Sequence, residues 1–265
     1  ALDCAHCGGH YLKGMKPLDE VERITTPSVL ISGGCDATGR VPIREHLDTL
    51  RPLVAGLRTN WHLGLVTPSD VAALQGLLDV VSFDFVGDDE TIHEVYGIDA
   101  SADNYERSFA LLSTCAEVVP HITIGLRGGN IGHEWAALER LAGHDFRRLV
   151  LLVLIPTPDT RYANVQPPPL AEVTRLIATA RLRFPKVSLQ IGCMRPKGTY
   201  RRALDVLAVR AGVNVVVNPV RAACTTAEEL GLRWLMGHEC CVFAPLQEAP
   251  GTSSDPDTAS TLLCR

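Results

Sequence analysis

The chain has 265 residues, of which 46% are hydrophobic and 21% charged, and its formal net charge is −5. This composition supplies ample apolar material for a core and argues against global disorder. The negative charge argues against a nucleic-acid partner, because binding phosphates takes clustered Lys and Arg. No apolar run approaches the roughly 18 residues that span a bilayer. We therefore expect a cytoplasmic protein with neither a nucleic-acid nor a membrane partner.

Short apolar runs alternate with stretches of helical periodicity along most of the chain. The predicted strands cover residues 29–32, 61–66, 80–86, 121–126, 149–155, 187–191 and 213–217. The main predicted helices cover residues 40–57, 104–117, 134–141, 170–184, 200–211 and 226–236, the last with Thr225 or Thr226 as N-cap. This alternation predicts parallel βαβ units. A chain of this length could form two small domains or one α/β barrel, and the regular alternation favours one barrel.

The C-terminal segment differs in composition from the rest. From Ala244 onward Pro, Gly, Ser, Thr and Asp dominate and both periodicities disappear. We therefore predict a barrel domain over residues 1–243 and a flexible tail over residues 244–265, in which Cys264 has no role.

Two cysteines near the start of the chain, Cys4 and Cys7, have the Cys-x-x-Cys spacing and are followed by Gly8 and Gly9. This spacing puts both sulfurs on one side of a tight loop, where they can reach one zinc ion or one iron–sulfur cluster. A thioredoxin-type dithiol is the alternative, but that pair belongs at the start of a helix after a strand. Nine cysteines in such a chain favour metal or cluster ligation over a disulfide framework.

Further candidate residues follow the predicted strands, where the active sites of parallel barrels lie. Gly33 and Gly34 would let the backbone approach a ligand closely, although a plain turn explains them equally well. Ser82 and Asp84 alternate along one strand and so share a side, where they could bind ligand hydroxyls or make structural hydrogen bonds.

Several motifs together resemble a known family. They are Cys-x-His-Cys-Gly-Gly-x-Tyr-Leu at residues 4–12, Ser-Gly-Gly-Cys-Asp at 32–36, Val-Gly-Asp-Asp-Glu-Thr-Ile-x-Glu-Val-Tyr-Gly at 86–97, Gly-Cys-Met-Arg-Pro at 192–196 and Glu-Cys-Cys at 239–241. In this order they resemble the radical S-adenosylmethionine (SAM) superfamily. Within it they are similar to the biotin-synthase homologues that include the second subunit of the two-protein lipoyl synthases. The resemblance covers residues 1 to about 243.

The resemblance implies a (β/α)₈ TIM-type barrel and a [4Fe-4S] cluster held by a Cys-x-x-x-Cys-x-x-Cys motif. Cys4 and Cys7 match its second and third cysteines. The first would fall one residue before Ala1, so we expect that this chain begins just after it and lacks barrel strand one.

The resemblance also implies contacts to SAM. Gly33 and Gly34 would bind its amino group, and Ser82 and Asp84 its ribose. Gly129 and Ile131 would support its adenine, in a motif one residue shorter than that of biotin synthase, so that Glu134 could instead cap its helix. Residues 156–160 resemble the loop that closes over SAM. The candidate ligands of a second [4Fe-4S] cluster are Cys35, Cys193, Cys240 and Cys241.

The implied activity is generation of a 5′-deoxyadenosyl radical for sulfur insertion into an octanoyl chain. That chain would be attached to a carrier protein or lipoyl domain, with a sister radical SAM subunit as a further partner and an electron donor such as ferredoxin. One alternative is a radical SAM enzyme that performs methylation or cofactor assembly. The other is a non-catalytic, zinc-binding barrel.

Overall fold

The computed structural model describes residues 2–246 and the backbone of residues 261–264. The chain divides into two compact units. Unit 1 comprises Ala1–Pro120 and Pro156–Val165, and unit 2 comprises His121–Ile155 and Gln166–Arg265. Both units alternate parallel strands with helices, so the predicted parallel α/β fold class is confirmed.

The strands are β1 (Ser28–Ile31), β2 (Arg58–Trp61), β3 (Val80–Asp84), β4 (Glu117–Ile124), β5 (Arg148–Val153), β6 (Ser188–Ile191), β7 (Val215–Val216), β8 (Arg233–Met236) and β9 (Thr261–Cys264). The helices are α1 (Leu47–Val54), α2 (Pro68–Leu74), α3 (Asp89–Thr91), α4 (Ala102–Ser113), α5 (His133–Leu141), α6 (Leu170–Arg183), α7 (Thr199–Arg210) and α8 (Arg221–Glu229). A π-helical turn, Ile92–Tyr96, continues α3. Short 3₁₀ turns cover His10–Gly14, Leu18–Glu20, Ile43–His46 and Cys241–Phe243.

Unit 1 contains β1, β2 and β3, paired in that order in parallel. Its core is aromatic: Phe83, Phe85 and Phe109 are buried, and the Phe85 and Phe109 rings meet edge to face with centroids 5.7 Å apart. Aromatic side chains bury large areas and favour this geometry. The core fixes the carboxyl end of β3, and with it Asp84.

Unit 2 contains the end of β4 followed by β5, β6, β7, β9 and β8 in spatial order, all parallel. Leu149, Val150 and Leu151 of β5 are fully buried. A continuous apolar run of this kind is typical of a parallel strand covered on both faces. Helix α6 buries its apolar stripe, which includes Val173 and Ile177.

Strand β2 begins earlier than its apolar run predicts, covering Arg58–Trp61 rather than residues 61–66. Two of its polar residues, Thr59 and Asn60, are buried, and both are hydrogen-bonded. The Thr59 amide donates to the Asp79 carboxylate at 2.7 Å, and the Ser82 hydroxyl donates to Asn60 Oδ1 at 2.8 Å. Satisfied polar groups can occupy a core strand, and hydrophobic patterning alone misses them.

The helix predicted over residues 226–236 is wrong. Helix α8 covers Arg221–Glu229 and ends before Gly231, which has the left-handed φ of 72° typical of a helix stop. Arg233–Met236 then forms strand β8, and Thr225 and Thr226 lie inside the helix rather than at its N-cap.

The predicted boundary at residue 243 stays a prediction, because residues 247–260 and 265 lie outside the described part of the chain. The backbone of Thr261–Cys264 nevertheless forms β9, between β7 and β8. The strand and the cysteine expected before Ala1, and the side chain of Cys264, also lie outside the described residues. Of the described helices, none has the length and apolar character needed to cross a bilayer.

Candidate metal and cofactor site

The thiol loop, residues 2–9, is a single tight turn. The amides of Cys7 and Gly8 both donate to the Cys4 carbonyl, at 3.2 and 2.8 Å. Gly8 and Gly9 follow with φ of 49° and 71°, in the region that favours glycine. The turn brings the two sulfurs into hydrogen-bonding contact with each other.

The two thiols of the loop are electrostatically unequal. The pKa of Cys7 is lowered to about 4, because its sulfur accepts a hydrogen bond from the Cys4 thiol and a second one from the His6 ring. The pKa of Cys4 is raised well above its usual value, first by holding the proton shared with Cys7 and then by burial. Cys7 is therefore favoured as a thiolate, which is the form of cysteine that binds metals.

Cys35 lies in the same unit as the thiol loop. Its carbonyl accepts a hydrogen bond from the Leu2 amide at 3.0 Å, and its thiol interacts electrostatically with Cys4 and Cys7. Burial, followed by the negative charges of Asp84 and Asp36, raises the pKa of Cys35 to about 11. Cys35 is thus held as a neutral thiol beside the pair.

The glycines after β1 border a cavity. A Cβ added to Gly33 would lie 3.0 Å from Val41 Cγ1, so the chain packs closely against Val41 at this position. Gly33 and Gly34 help to line a mainly aliphatic cavity of about 660 Å³ that Leu50 and Val54 of α1 also line. None of the residues that line this cavity is a cysteine of the thiol loop. The cavity and the candidate metal ligands therefore lie at different places in unit 1. We take the thiol loop as the site because its residues can perform chemistry.

Ser82 and Asp84 lie on β3 in different surroundings. Ser82 is buried, and its hydroxyl donates to Asn60. Asp84 is exposed at the end of the strand, and its charge acts on Cys35, His62, Tyr96 and Tyr105. Asp84 thus remains the better candidate for a ligand hydroxyl, whereas Ser82 has a structural partner.

Two tyrosines without a predicted role, Tyr96 and Tyr105, interact electrostatically with Asp84. Tyr105 is buried and Tyr96 is partly buried, and desolvation raises the pKa of each hydroxyl above its usual value. Tyr96 also packs edge to face on His6, with ring centroids 5.8 Å apart. Tyr96 belongs to the motif at residues 86–97, so the sequence did contain a signal that could have identified it as a site residue.

In unit 2 the loop after β4 is shaped by glycines and one buried carboxylate. A Cβ on Gly129, which has φ of 90°, would lie 2.1 Å from the Gln166 carbonyl oxygen. Glu134 is fully buried and accepts hydrogen bonds from the amides of Gly125 and Gly132 at 2.5 and 2.6 Å. Gly132 is the N-cap residue of α5, so Glu134 acts at the start of its own helix, as the capping alternative expected. Ile131 is partly exposed, and its adenine contact stays a prediction.

The remaining candidate cysteines also lie in unit 2. Cys193 and Cys240 are exposed and interact electrostatically, and Cys241 is buried. Cys35, their proposed companion, belongs to unit 1. Within residues 2–246 no three His, Cys, Asp or Glu side chains converge closely enough to hold a metal ion. The second cluster stays a prediction.

The loop that carries Cys193 is held by a buried ion pair. Arg195 is almost fully buried and meets the Asp205 carboxylate at 2.7 Å. Its guanidinium also donates to the carbonyls of Gly192, at 2.7 Å, and Val217, at 2.8 Å. This arginine, which belongs to the Gly-Cys-Met-Arg-Pro motif at residues 192–196, is a structural anchor.

The chain matches no family model and no curated protein, but solved structures share its fold. Methylornithine synthase (PylB) aligns with a TM-score of 0.56 and 16% identity, over 72% of this chain and 56% of that one. The FeFe-hydrogenase maturase HydG from Carboxydothermus hydrogenoformans aligns with a TM-score of 0.53 and 14% identity, over 73% of this chain and 47% of that one. This chain shares the fold of both structures. It spans about half the length of these two structures.

The residues of the thiol loop fit two corners of an iron–sulfur cluster. Two sulfurs in contact, one of them favoured as a thiolate, form a soft donor pair suited to iron–sulfur clusters or zinc. His6 Nδ1 is buried beside them without a hydrogen-bond partner among the described residues, as expected if a bound group completes the site. Cys4 and Cys7 thus provide two of the ligands that a cluster needs, and no third ligand converges with them among the described side chains.

Proposed function

We propose that this protein is a radical SAM enzyme whose cluster is bound by Cys4 and Cys7. The observation that carries the proposal is the paired sulfurs on one tight turn, in a chain with the fold of PylB and HydG. When bound, a [4Fe-4S] cluster and SAM supply a 5′-deoxyadenosyl radical, and the protein supplies binding, orientation and exclusion of water.

The residues of unit 1 have distinct roles in this proposal. Cys7 provides the first thiolate, and His6 favours that charge state through its hydrogen bond to the sulfur. Asp84, exposed at the end of β3, accepts hydrogen bonds from the ribose hydroxyls of SAM. Tyr96 is partly buried and shields from water the side of the loop where it packs on His6.

The proposed reaction is sulfur insertion into a protein-bound octanoyl chain. It is supported by the resemblance of the motifs at residues 86–97 and 192–196 to the two-protein lipoyl synthases. The candidate ligands of a sacrificial second cluster are Cys35, Cys193, Cys240 and Cys241. The proposed partners are an octanoylated carrier protein or lipoyl domain, a sister radical SAM subunit and a ferredoxin-like electron donor.

The test begins with metal content. The full-length protein is reconstituted with iron and sulfide under anaerobic conditions, and iron, sulfide and zinc are counted. Roughly eight irons per chain support two cubane clusters, and roughly four support one cluster and a radical SAM reaction without sacrificial sulfur. A colourless, zinc-loaded protein that does not cleave SAM supports the non-catalytic barrel and contradicts the proposal.

The reaction is tested next with an octanoylated lipoyl domain, with and without the sister subunit. Mass spectrometry should show sulfur added to the octanoyl chain in the presence of SAM and dithionite. Replacing Cys35, Cys193, Cys240 and Cys241 with Ala should abolish this gain. If iron content and sulfur transfer are both unchanged in that variant, the second-cluster assignment is wrong.

A further inference from the structure

The residue between the two thiols is held from both sides by distant segments of unit 1. Ala5 is only 1% exposed. Its amide donates to the Val95 carbonyl at 2.7 Å, and its carbonyl accepts from the Tyr162 amide at 3.0 Å. The thiol loop is therefore positioned by segments about 90 and 157 residues further along the chain.

These two segments are also bonded to each other. We name Pro156–Val165 the strap. The Tyr162 hydroxyl donates to Glu94 Oε1 at 2.5 Å, and the Arg161 guanidinium donates to the Glu94 carbonyl at 2.6 Å. Glu94 and Val95 lie in the π-helical turn Ile92–Tyr96, a rare conformation that is frequent at functional sites.

The strap has a defined shape where it meets the thiol loop. Asp159 has φ of 59°, and the Thr160 hydroxyl bonds to the Thr157 carbonyl at 2.7 Å, which closes a local turn. Thr160 Cγ2 lies 3.3 Å from the position that a Cβ on Gly8 would occupy, so the turn is close to the glycine after Cys7. Any larger residue at position 8 would push against the strap.

We propose that Tyr162 and Glu94 are positioning residues that hold the thiol loop in the geometry that binds the cluster. This inference rests on the cluster proposed above. The bond from the Tyr162 hydroxyl to Glu94 is charge-assisted and partly buried, which makes it stronger than a neutral one. It fixes the strap to the π-turn, and the strap and the turn each bond to Ala5. A loop ordered in advance loses less conformational entropy when it binds its ligand.

The experiment compares three single-residue variants of the full-length protein. Tyr162→Phe removes only the hydroxyl, and Glu94→Gln keeps an oxygen acceptor for it. Tyr200→Phe is the matched control, because the Tyr200 hydroxyl bonds to the Pro168 carbonyl at 2.7 Å in unit 2. The first readout is iron loss from the reconstituted protein to a chelator. The second is hydrogen exchange at the amides of Ala5 and Tyr162 before reconstitution.

Tyr162→Phe should lose iron roughly tenfold faster than wild type, since a hydrogen bond to a charged acceptor stabilises by enough for that factor. Glu94→Gln should fall between Tyr162→Phe and wild type, and Tyr200→Phe should equal wild type. Hydrogen exchange at the Ala5 and Tyr162 amides should follow the same ranking. It should be fastest in Tyr162→Phe, intermediate in Glu94→Gln and equal to wild type in Tyr200→Phe. If Tyr162→Phe fails to fold, Arg161→Ala removes the other strap contact to Glu94 and should also speed iron loss.

Two outcomes overturn the inference while the proposed function stands. One is faster amide exchange in Tyr162→Phe with iron loss equal to wild type, because the strap would then be only structural. The other is an equal effect of Tyr200→Phe on iron loss. Wild-type protein that takes up no iron overturns the proposed function itself, and this result is visible before any variant is made.

Discussion

Several buried polar side chains of this protein are held in place by hydrogen bonds to backbone groups. Glu134 is the clearest example, since a fully buried carboxylate receives the amides of Gly125 and Gly132. A buried carboxylate is tolerated only when it is well satisfied. This residue therefore fixes the loop after β4 rather than binding a ligand.

Replacing Glu134 tests whether its carboxylate fixes the loop after β4. Glu134→Gln replaces one accepting oxygen by an NH₂ group that must face a backbone amide, so the free energy of unfolding should fall by about 2 kcal/mol. Urea unfolding followed by circular dichroism measures the change. Glu139→Gln on the same helix is the control: Glu139 is exposed and forms a surface ion pair with Arg183, which contributes at most about 1 kcal/mol. An equal loss in both variants contradicts the assigned role.

Gly129 provides a second test at the scale of one residue. Its φ of 90° and the 2.1 Å approach of an added Cβ to the Gln166 carbonyl oxygen both exclude a side chain. Gly129→Ala should destabilise the protein by about 3 kcal/mol, the upper range for backbone strain. Gly132→Ala is the control, because its Cβ would meet nothing within 4 Å and its φ is −160°. The melting temperatures of the two variants should differ clearly, and equal values would refute the argument.

At the scale of elements, the loop between β6 and α7 depends on one buried ion pair. Arg195 and Asp205 meet at 2.7 Å with both side chains fully buried. Removing one partner leaves the other charge buried and unpaired, which destabilises by roughly 3–5 kcal/mol. Asp205→Asn should therefore lower the unfolding free energy by about that amount. Glu229→Gln, which breaks the exposed pair with Arg210, should change it by at most about 1 kcal/mol.

Helix α2 depends on a capping box. The Thr67 hydroxyl accepts the Asp70 amide, and the Asp70 carboxylate accepts the Thr67 amide at 2.9 Å. Burial alone would raise the pKa of Asp70, but the hydrogen bonds from Thr67 and the charges of Arg40 and Arg44 outweigh it and lower that pKa below its usual value. A carboxyl with a depressed folded pKa adds stability above its unfolded pKa and loses it as the pH falls through the folded value.

Asp70→Asn should accordingly lower the unfolding free energy by about 1 kcal/mol at pH 7, the typical contribution of a cap. The difference from wild type should shrink as the pH falls below the usual aspartate pKa of about 3.9. Urea unfolding at pH 7 and at pH 3 makes the comparison. A difference that persists undiminished at pH 3 would mean that the carboxylate charge is not responsible.

Elements with strong local patterns could be predicted from the sequence. The apolar runs located β1 and β3 to β7 to within a few residues, because parallel strands are buried on both faces. Strand β8 was missed because its short apolar stretch, Trp234–Met236, falls inside the helix predicted over residues 226–236, and its neighbour β9 is distant in sequence. Helix α2 was missed although Thr67, Pro68 and Asp70 form a start signal that the sequence contains.

At the scale of the whole molecule, spacing identified the proposed metal ligands but not the residues that would support them. Cys4 and Cys7 are three residues apart, so local sequence was enough to pair them. Glu94 and Tyr162 are 68 residues apart, and no periodic pattern connects them. Likewise, Tyr96 meets His6 only through the fold. Long-range contacts of this kind follow from topology, which a single sequence specifies only indirectly.

The central claim is that Cys4 and Cys7 bind a cluster that cleaves SAM. The most direct test is the yield of 5′-deoxyadenosine from the reconstituted full-length protein with SAM and dithionite, measured by liquid chromatography. Wild type and Cys115→Ala, which alters a half-buried thiol after α4, should both produce it, and Cys4→Ala and Cys7→Ala should reduce it to background. Absence of 5′-deoxyadenosine from wild type, or an undiminished yield from Cys7→Ala, would contradict the account.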